Sequence, residues 1–152
     1  MRITTRGRYA LRASLALSRM SSDGSPIPIS RLSERENISS VFLEQIFFKL
    51  RKAGLVDSVR GPGGGFKFSR PLKEITVKEI LDAAGEGLIL SPCGAGRASC
   101  SDSHDCVSFS IWADATKLVN TYFQSLTLGD ILEKYKDSFD RFEEGCPPGT
   151  IR

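Results

Sequence analysis

The sequence predicts a mainly α-helical fold with one small β-hairpin, and three observations point there. Apolar residues recur at three- and four-residue intervals over most of the chain, the period of a helix with one buried face. Two short β-prone segments flank the glycine-dense turn Arg60-Gly61-Pro62-Gly63-Gly64-Gly65. The longest helical pattern, from about Cys106 to Leu126, carries an apolar stripe too wide for one partner surface in so small a protein. A length of 152 residues, 16.7 kDa, admits one domain, or one small domain with an appendage. With 40% hydrophobic and 26% charged residues, whole-chain disorder is a poor reading. No apolar run approaches the roughly 18 residues of a membrane span. Arg2, Arg6, Arg8, Arg12 and Arg19 interrupt the stretch where a secretory signal would be apolar. A cytoplasmic protein with no membrane partner is expected.

The elements follow in order. Tyr9, Ala13, Ala16, Leu17 and Met20 mark a helix over 5–20, with Leu11 and Leu15 as a second apolar strip that predicts packing on two sides. The loop Ser21-Ser22-Asp23-Gly24-Ser25-Pro26 ends it. A short helix spans Ile29 to about Glu36, and Asn37-Ile38 makes the break. The next helix runs from Ser39 to Lys52: Ser39 is its N-cap, Leu43, Ile46, Phe47 and Leu50 its core stripe, and Gly54 its left-handed C-terminal stop. Leu55–Val59 and Phe66–Ser69 read as paired strands across the glycine turn. Thr76 with Glu79 forms a capping box, with Ile75 against Ile80 as hydrophobic staple, for a helix that fades near Ala84-Gly85. Residues 85–105 read as loop; after the long pattern, Thr127 and Asp130 cap one more short helix, and the tail from Glu143 is expected to be mobile.

Three helices followed by a hairpin is the order of a winged helix-turn-helix domain, whose second helix of the pair enters a DNA major groove. The charge distribution agrees. Residues 1–80 hold fifteen Lys/Arg against seven Asp/Glu, while residues 81–152 hold six against eleven. A basic front half suits contact with a polyanion. The candidate contacts are Arg2, then Ser39, Ser40, Gln45 and Lys49 as donors to phosphates or base edges. Glu44 would be repelled by phosphate, so its use there is to accept from a cytosine amino group; the plain alternative is a solvated glutamate. The glycine turn lacks the Gly-Lys-Ser/Thr end of a phosphate loop, and Phe66 stands where a dinucleotide fingerprint needs glycine. As a wing, Gly61, Gly63 and Gly64 would let bare backbone approach the sugar-phosphate chain while Arg60 enters the minor groove.

The cysteines lie at one end. None precedes Cys93; Cys93, Cys100 and Cys106 fall within fourteen residues, and Cys146 stands alone. Structural zinc sites pair thiolates two to four residues apart, whereas gaps of six and five residues suit an iron–sulfur cluster held from several directions. Free thiols or a regulatory disulfide are the plainer readings. No enzyme is expected: His104 is the only histidine, and neither a positioned base nor an acid/base pair is evident.

The opening Met1-Arg2-Ile3-Thr4-Thr5-Arg6-Gly7-Arg8-Tyr9-Ala10-Leu11, the segment Leu43-Glu44-Gln45, the run Lys49-Leu50-Arg51-Lys52-Ala53-Gly54-Leu55-Val56 and the wing Val59 to Gly65 resemble the IscR/NsrR/CymR family of transcriptional regulators. The resemblance covers about residues 1–135. It implies a homodimer with a long dimerisation helix, a roughly palindromic double-stranded operator, and three cysteines on an iron–sulfur cluster, with 2Fe-2S put first and 4Fe-4S second. It also implies that Glu44 helps set the operator class. CymR-like members lack the cysteine trio, so the chain looks closer to the cluster-binding, IscR-like branch. Two departures concern the fourth ligand. The IscR-like histidine three residues after the last cysteine is here Phe109, and the NsrR-like acidic residue of the first helix is matched by Arg8. His104 is the nearest candidate, followed by Asp102, Asp105, Cys146 and a small exogenous ligand.

The expected organisation is a winged helix-turn-helix domain over 1–84, a cluster-binding loop over 85–105, a dimerisation helix and short C-terminal helix over 106–142, and a flexible tail over 143–152. The rivals are a cluster-free thiol/disulfide regulator and, from another class, a small Fe–S carrier.

Overall fold

The computed structural model describes residues 3–91 and 107–136. Among them lie six helices and one hairpin: α1 (Thr5–Met20), α2 (Ile29–Glu36), α3 (Ser40–Lys52), β1 (Val56–Val59), β2 (Gly65–Phe68), α4 (Val77–Ala84), α5 (Val107–Ser125) and α6 (Leu128–Lys134). The expected helix order holds, and each strand starts within one residue of its expected place.

Helix α1 sits at the centre, touching α2, α3, α4 and α6. Its fully buried face is Gly7, Ala10, Ala13, Ser14, Ala16, Leu17 and Ser18, whereas Tyr9 and Met20 of the expected stripe are only half-buried. Close approach of several helices leaves room for small side chains along the middle and puts the large ones at the margins. Tyr9 there meets Phe42 of α3 edge-on, ring centroids 5.8 Å apart.

Asn37, with φ 52°, makes the left-handed turn between α2 and α3. Helix α3 starts at Ser39, whose hydroxyl accepts from the Phe42 N–H at 3.2 Å. Leu43, Ile46, Phe47 and Leu50 are at most 1% exposed, so the predicted stripe is the core stripe. Lys49, Arg51 and Lys52 close the helix with positive charge against its C-terminal carbonyls. In the hairpin Val56 pairs with Phe68 and Val59 with Gly65. A short third strand position was not foreseen: the Ile27 N–H donates to the Phe66 carbonyl, and the Phe66 N–H to that of Ile27, each at 2.9 Å. A Cβ on Gly65 would run into the Ile27 backbone, so the bridge requires glycine there.

The Thr76–Glu79 capping box forms, and Ile75 and Ile80 are both in the core. A single 3-10 turn, Leu72–Glu74, precedes it. Helix α5 contains no buried residue; Phe123, and Leu126 just beyond it, rest partly on Val77, Leu81 and Leu88. Its Asn120 amide donates to the Leu88 carbonyl at 3.1 Å, and Thr116 Oγ1 accepts from the Leu90 N–H at 3.3 Å. Helix α6, with its own Thr127–Asp130 capping box, then returns to the front of the molecule. Leu128 is fully buried in the main core, and Lys73 pairs with Glu133 at 2.8 Å. The chain crosses between the two ends through backbone hydrogen bonds of 2.9 Å, Val77 N–H to Leu126 and Leu128 N–H to Ile75.

Candidate nucleic-acid interface

The core stripe of α3 turns its other side outward. At about 100° per residue, positions 41, 45, 48 and 52 form a strip opposite the buried residues, with 40 and 44 beside it. Ser40, Val41, Glu44, Gln45, Phe48 and Lys52 are all exposed. Ser39 uses its oxygen as the cap, which leaves its O–H free to donate to an anion. Lys49 departs from this strip: it is half-buried, and its Nζ lies 3.5 Å from the Ala84 carbonyl at the C-terminal end of α4. Of the sequence-predicted helix contacts, Ser39, Ser40, Glu44 and Gln45 therefore share one open face, and Lys49 sits at its border.

The hairpin projects beside that face. Arg60, Gly61 and Gly63 at its tip are exposed. The Gly64 N–H donates to the Gly61 carbonyl at 2.9 Å, and a Cβ on Gly64 would strike the carbonyls of Val59 and Gly61. The tightness of this turn thus selects glycine, and the bare backbone follows from it. Arg51 of α3 donates to Ser58 Oγ on β1 at 3.1 Å, tying helix and wing together.

Three polar residues near this face were missed from sequence. An open cleft of about 320 Å³ is lined by Thr5, Tyr9, Asn37, Ile38, Ser39 and Phe42. It brings Thr5, Tyr9 and Asn37 to one cleft with the capping residue Ser39. No local pattern signals this, because the cleft joins residues 28 or more positions apart. Val41 and Phe48, 65% and 56% exposed, were also passed over, since a periodicity argument assigns large apolar residues to the core.

Among the described residues, one charged side chain is buried. Glu86, 8% exposed, accepts from the Thr4 N–H at 3.1 Å and from the Thr4 hydroxyl. Burial acts to raise its pKa. The Thr4 hydroxyl, the N–H groups of Thr4 and Gly7 and the charge of Arg6 outweigh that, holding the carboxyl below its ordinary value. The segment that leads toward the cysteines is thereby tied to the first turn of α1.

Arg2, Cys93, Cys100, His104, Cys106 and Cys146 lie outside the described residues. At the two places where the family resemblance would put a fourth ligand, Phe109 is half-buried and Arg8 turns along α1 to donate to Thr5 Oγ1 at 3.3 Å. Neither is a metal ligand. None of the described helices is long and apolar enough to cross a membrane.

Comparison with known proteins agrees with this geometry. Residues 3–134 match the family described as Rrf2, iron-dependent transcriptional regulator. The chain is 39% identical over 133 residues to the HTH-type transcriptional regulator IscR of Vibrio atlanticus, covering 88% of this chain and 76% of that protein. It is 37% identical over 154 residues to IscR of Citrobacter koseri, covering 100% and 93%. Among solved structures it is similar to CymR, the global cysteine regulator of B. subtilis, with a TM-score of 0.73, 25% identity and coverage of 88% and 98%. It is likewise similar to T. potens IscR, with a TM-score of 0.69, 29% identity and coverage of 98% and 94%. These are names of transcription factors and not of enzymes, and the structures are winged-helix regulators. The chain belongs to the Rrf2 family of DNA-binding transcriptional regulators.

Proposed function

We propose that the chain works as a homodimer whose affinity for its operator is set by an iron–sulfur cluster. The observation that carries this reading is α5: it starts one residue after Cys106, has no buried residue, and leaves Ile111, Trp112, Leu118 and Tyr122 between 43% and 72% exposed. Such an apolar face on a long helix calls for a second copy of itself, and Cys106, one residue before α5 in sequence, would then enter beside the dimer contact. Each copy would lay Ser39, Ser40, Glu44 and Gln45 in a major groove and the Arg60 wing in the adjoining minor groove, with Arg2 and Lys49 on phosphates. Two-fold symmetry then calls for a roughly palindromic operator.

The donor set fits the proposed cofactor. Three thiolate-forming cysteines within residues 93–106, with His104 between the last two, suit soft, borderline iron and not a hard cation. Cys93, Cys100 and Cys106 would hold the cluster, of 2Fe-2S type before 4Fe-4S, and His104 would complete the set. When bound, the group supplies iron that responds to iron–sulfur supply, redox state or nitric oxide. The protein's part is to bind operator with different affinity in its two states; cluster binding alone would regulate nothing. The names of the IscR relatives and the iron-dependent description of the family support this reading. A thiol/disulfide switch among the same cysteines is the second reading, favoured by the likeness to CymR structures, one of them an oxidized form.

Anaerobic purification separates the two. Brown protein with iron and sulfide, sedimenting as a dimer and selecting an operator with different affinity before and after chelation, is expected. Colourless protein at normal iron supply, with operator binding that follows thiol oxidation, would overturn the cluster. His104→Ala with unchanged cluster absorbance and lifetime would remove His104 as ligand.

A further inference from the structure

The outward strip of α3 contains two large apolar side chains that neither the core nor the proposed polar contacts use. Val41 is 65% and Phe48 56% exposed, and both lie at the centre of the face opposite Leu43, Ile46, Phe47 and Leu50. A single exposed apolar residue is ordinary. Here the two flank Glu44 and Gln45, with Lys52 one turn beyond Phe48. The Phe48 ring is also braced: the Arg51 guanidinium stands 5.6 Å from its centroid and donates to Ser58 Oγ on β1 at 3.1 Å. The cation that links helix and wing therefore steadies the ring on the surface. Its neighbour Phe47 takes the core side instead, packing on Phe66 with ring centroids 5.0 Å apart.

We propose that Phe48 and Val41 are specificity residues that read the 5-methyl groups of thymines in the major groove. The inference rests on the reading that α3 lies in that groove. Phosphates and base edges there are polar, and the thymine methyl is the one apolar group that a phenyl or isopropyl side chain can cover with gain. The basic residues beside Phe48, Arg51 and Lys52, suit a phosphate-lined groove, and the patch is continuous with the polar strip proposed above to meet DNA. Glu44 would read a cytosine between two methyl contacts. Val41 and Phe48 are seven residues apart, which is about 10 Å along the axis, or about three base steps.

The test begins by selecting an operator for the full chain from a random duplex pool, then replacing each thymine singly by deoxyuridine. That exchange removes the methyl and leaves pairing, O4 and phosphate as they were. Binding by anisotropy should weaken about fourfold at one or two positions per half-site, the effect of one methyl leaving water. Phe48→Ser should erase that difference at one position, Phe48→Leu should keep most of it, and Val41→Ala should erase it at a second position about three base pairs away. Deoxyuridine duplexes that all bind like the thymine parent would overturn the methyl contact while leaving groove binding intact. Loss of the dimer on Phe48→Ser, without DNA, would overturn it too, by assigning the ring to a contact between chains. Enrichment of no duplex would overturn the groove reading and this proposal with it.

Discussion

Replacing Glu86 by alanine should lower the melting temperature of the chain by about 4–12 °C at neutral pH. The figure follows from what the carboxylate holds. It is almost fully buried and accepts from the Thr4 N–H and the Thr4 hydroxyl, whose oxygen in turn accepts from the Gly7 N–H at 3.4 Å. Hydrogen bonds to a charged group contribute about 1.5–3 kcal/mol each but do not sum, and the freed donors are at the end of α1, where water reaches some of them. A total of about 2–3 kcal/mol is expected, at roughly 2–4 °C per kcal/mol for a chain of this size. The same contact has a partner test. A Cβ on Gly7 would press into the Glu86 side chain, so Gly7→Ala should destabilise the parent. With Glu86→Ala the obstacle is gone, and Gly7→Ala should instead stabilise by up to about 1 kcal/mol through helix propensity. The assay is a double-mutant cycle in thermal unfolding at one protein concentration, since the melting temperature of the proposed dimer would depend on it. The pH arm has a definite sign. The folded carboxyl is held below its ordinary value of 4.5, so its stabilisation is full above that pH and is lost as pH falls through the depressed value. Glu86→Gln should flatten that part of the acid limb. A parent-like melting temperature for Glu86→Ala, within about 1 °C, or a Gly7→Ala effect of one sign in both backgrounds, would refute the reasoning.

Three further outcomes are expected. Leu128→Ala, which empties a fully buried position in the main core, should cost about 2–5 kcal/mol by denaturant unfolding, whereas Glu133→Ala, which removes only the exposed ion pair with Lys73, should cost under about 1 kcal/mol. Leu118→Asp on the open face of α5 should convert a sedimenting dimer to monomer at micromolar concentration with an unchanged circular dichroism spectrum; a persistent dimer would move the contact elsewhere. Arg60→Ala should weaken operator binding about tenfold, most with A·T-rich flanks, and reduce the salt slope by about one; equal loss for all flanks would exclude minor-groove insertion.

The parts of this fold that could be read from sequence are those whose physics is local. The Thr76–Glu79 and Thr127–Asp130 boxes are three-residue chemistry and form as expected. The α3 stripe was legible because Leu43, Ile46, Phe47 and Leu50 are large and face one way. The buried face of α1 was less so: its middle is alanine, serine and glycine, which a hydrophobic period counts weakly even where several helices meet. Ile27 gives no strand signal between Pro26 and Pro28, yet it pairs with Phe66 because the wing passes it. Glu86 and Thr4 are 82 positions apart, and nothing in either segment announces the other. At the interface, Glu44 and Gln45 stand where helical spacing puts them, while Lys49 follows a partner, the end of α4, that only the tertiary structure supplies. The cysteine reading concerns residues outside those described and rests on spacing and resemblance.

The paired backbone bonds at residues 75–77 and 126–128 have a mechanical corollary. They fasten the far end of α5 to the start of α4, which in turn lies against α1 and α3. In the dimer proposed above, a tilt of α5 would thus be handed to the whole head as one swing, like an oar turning in its rowlock. What such a pair would vary is the reach from one blade to the other, and operators differing by a base pair between their halves would be its natural gauge.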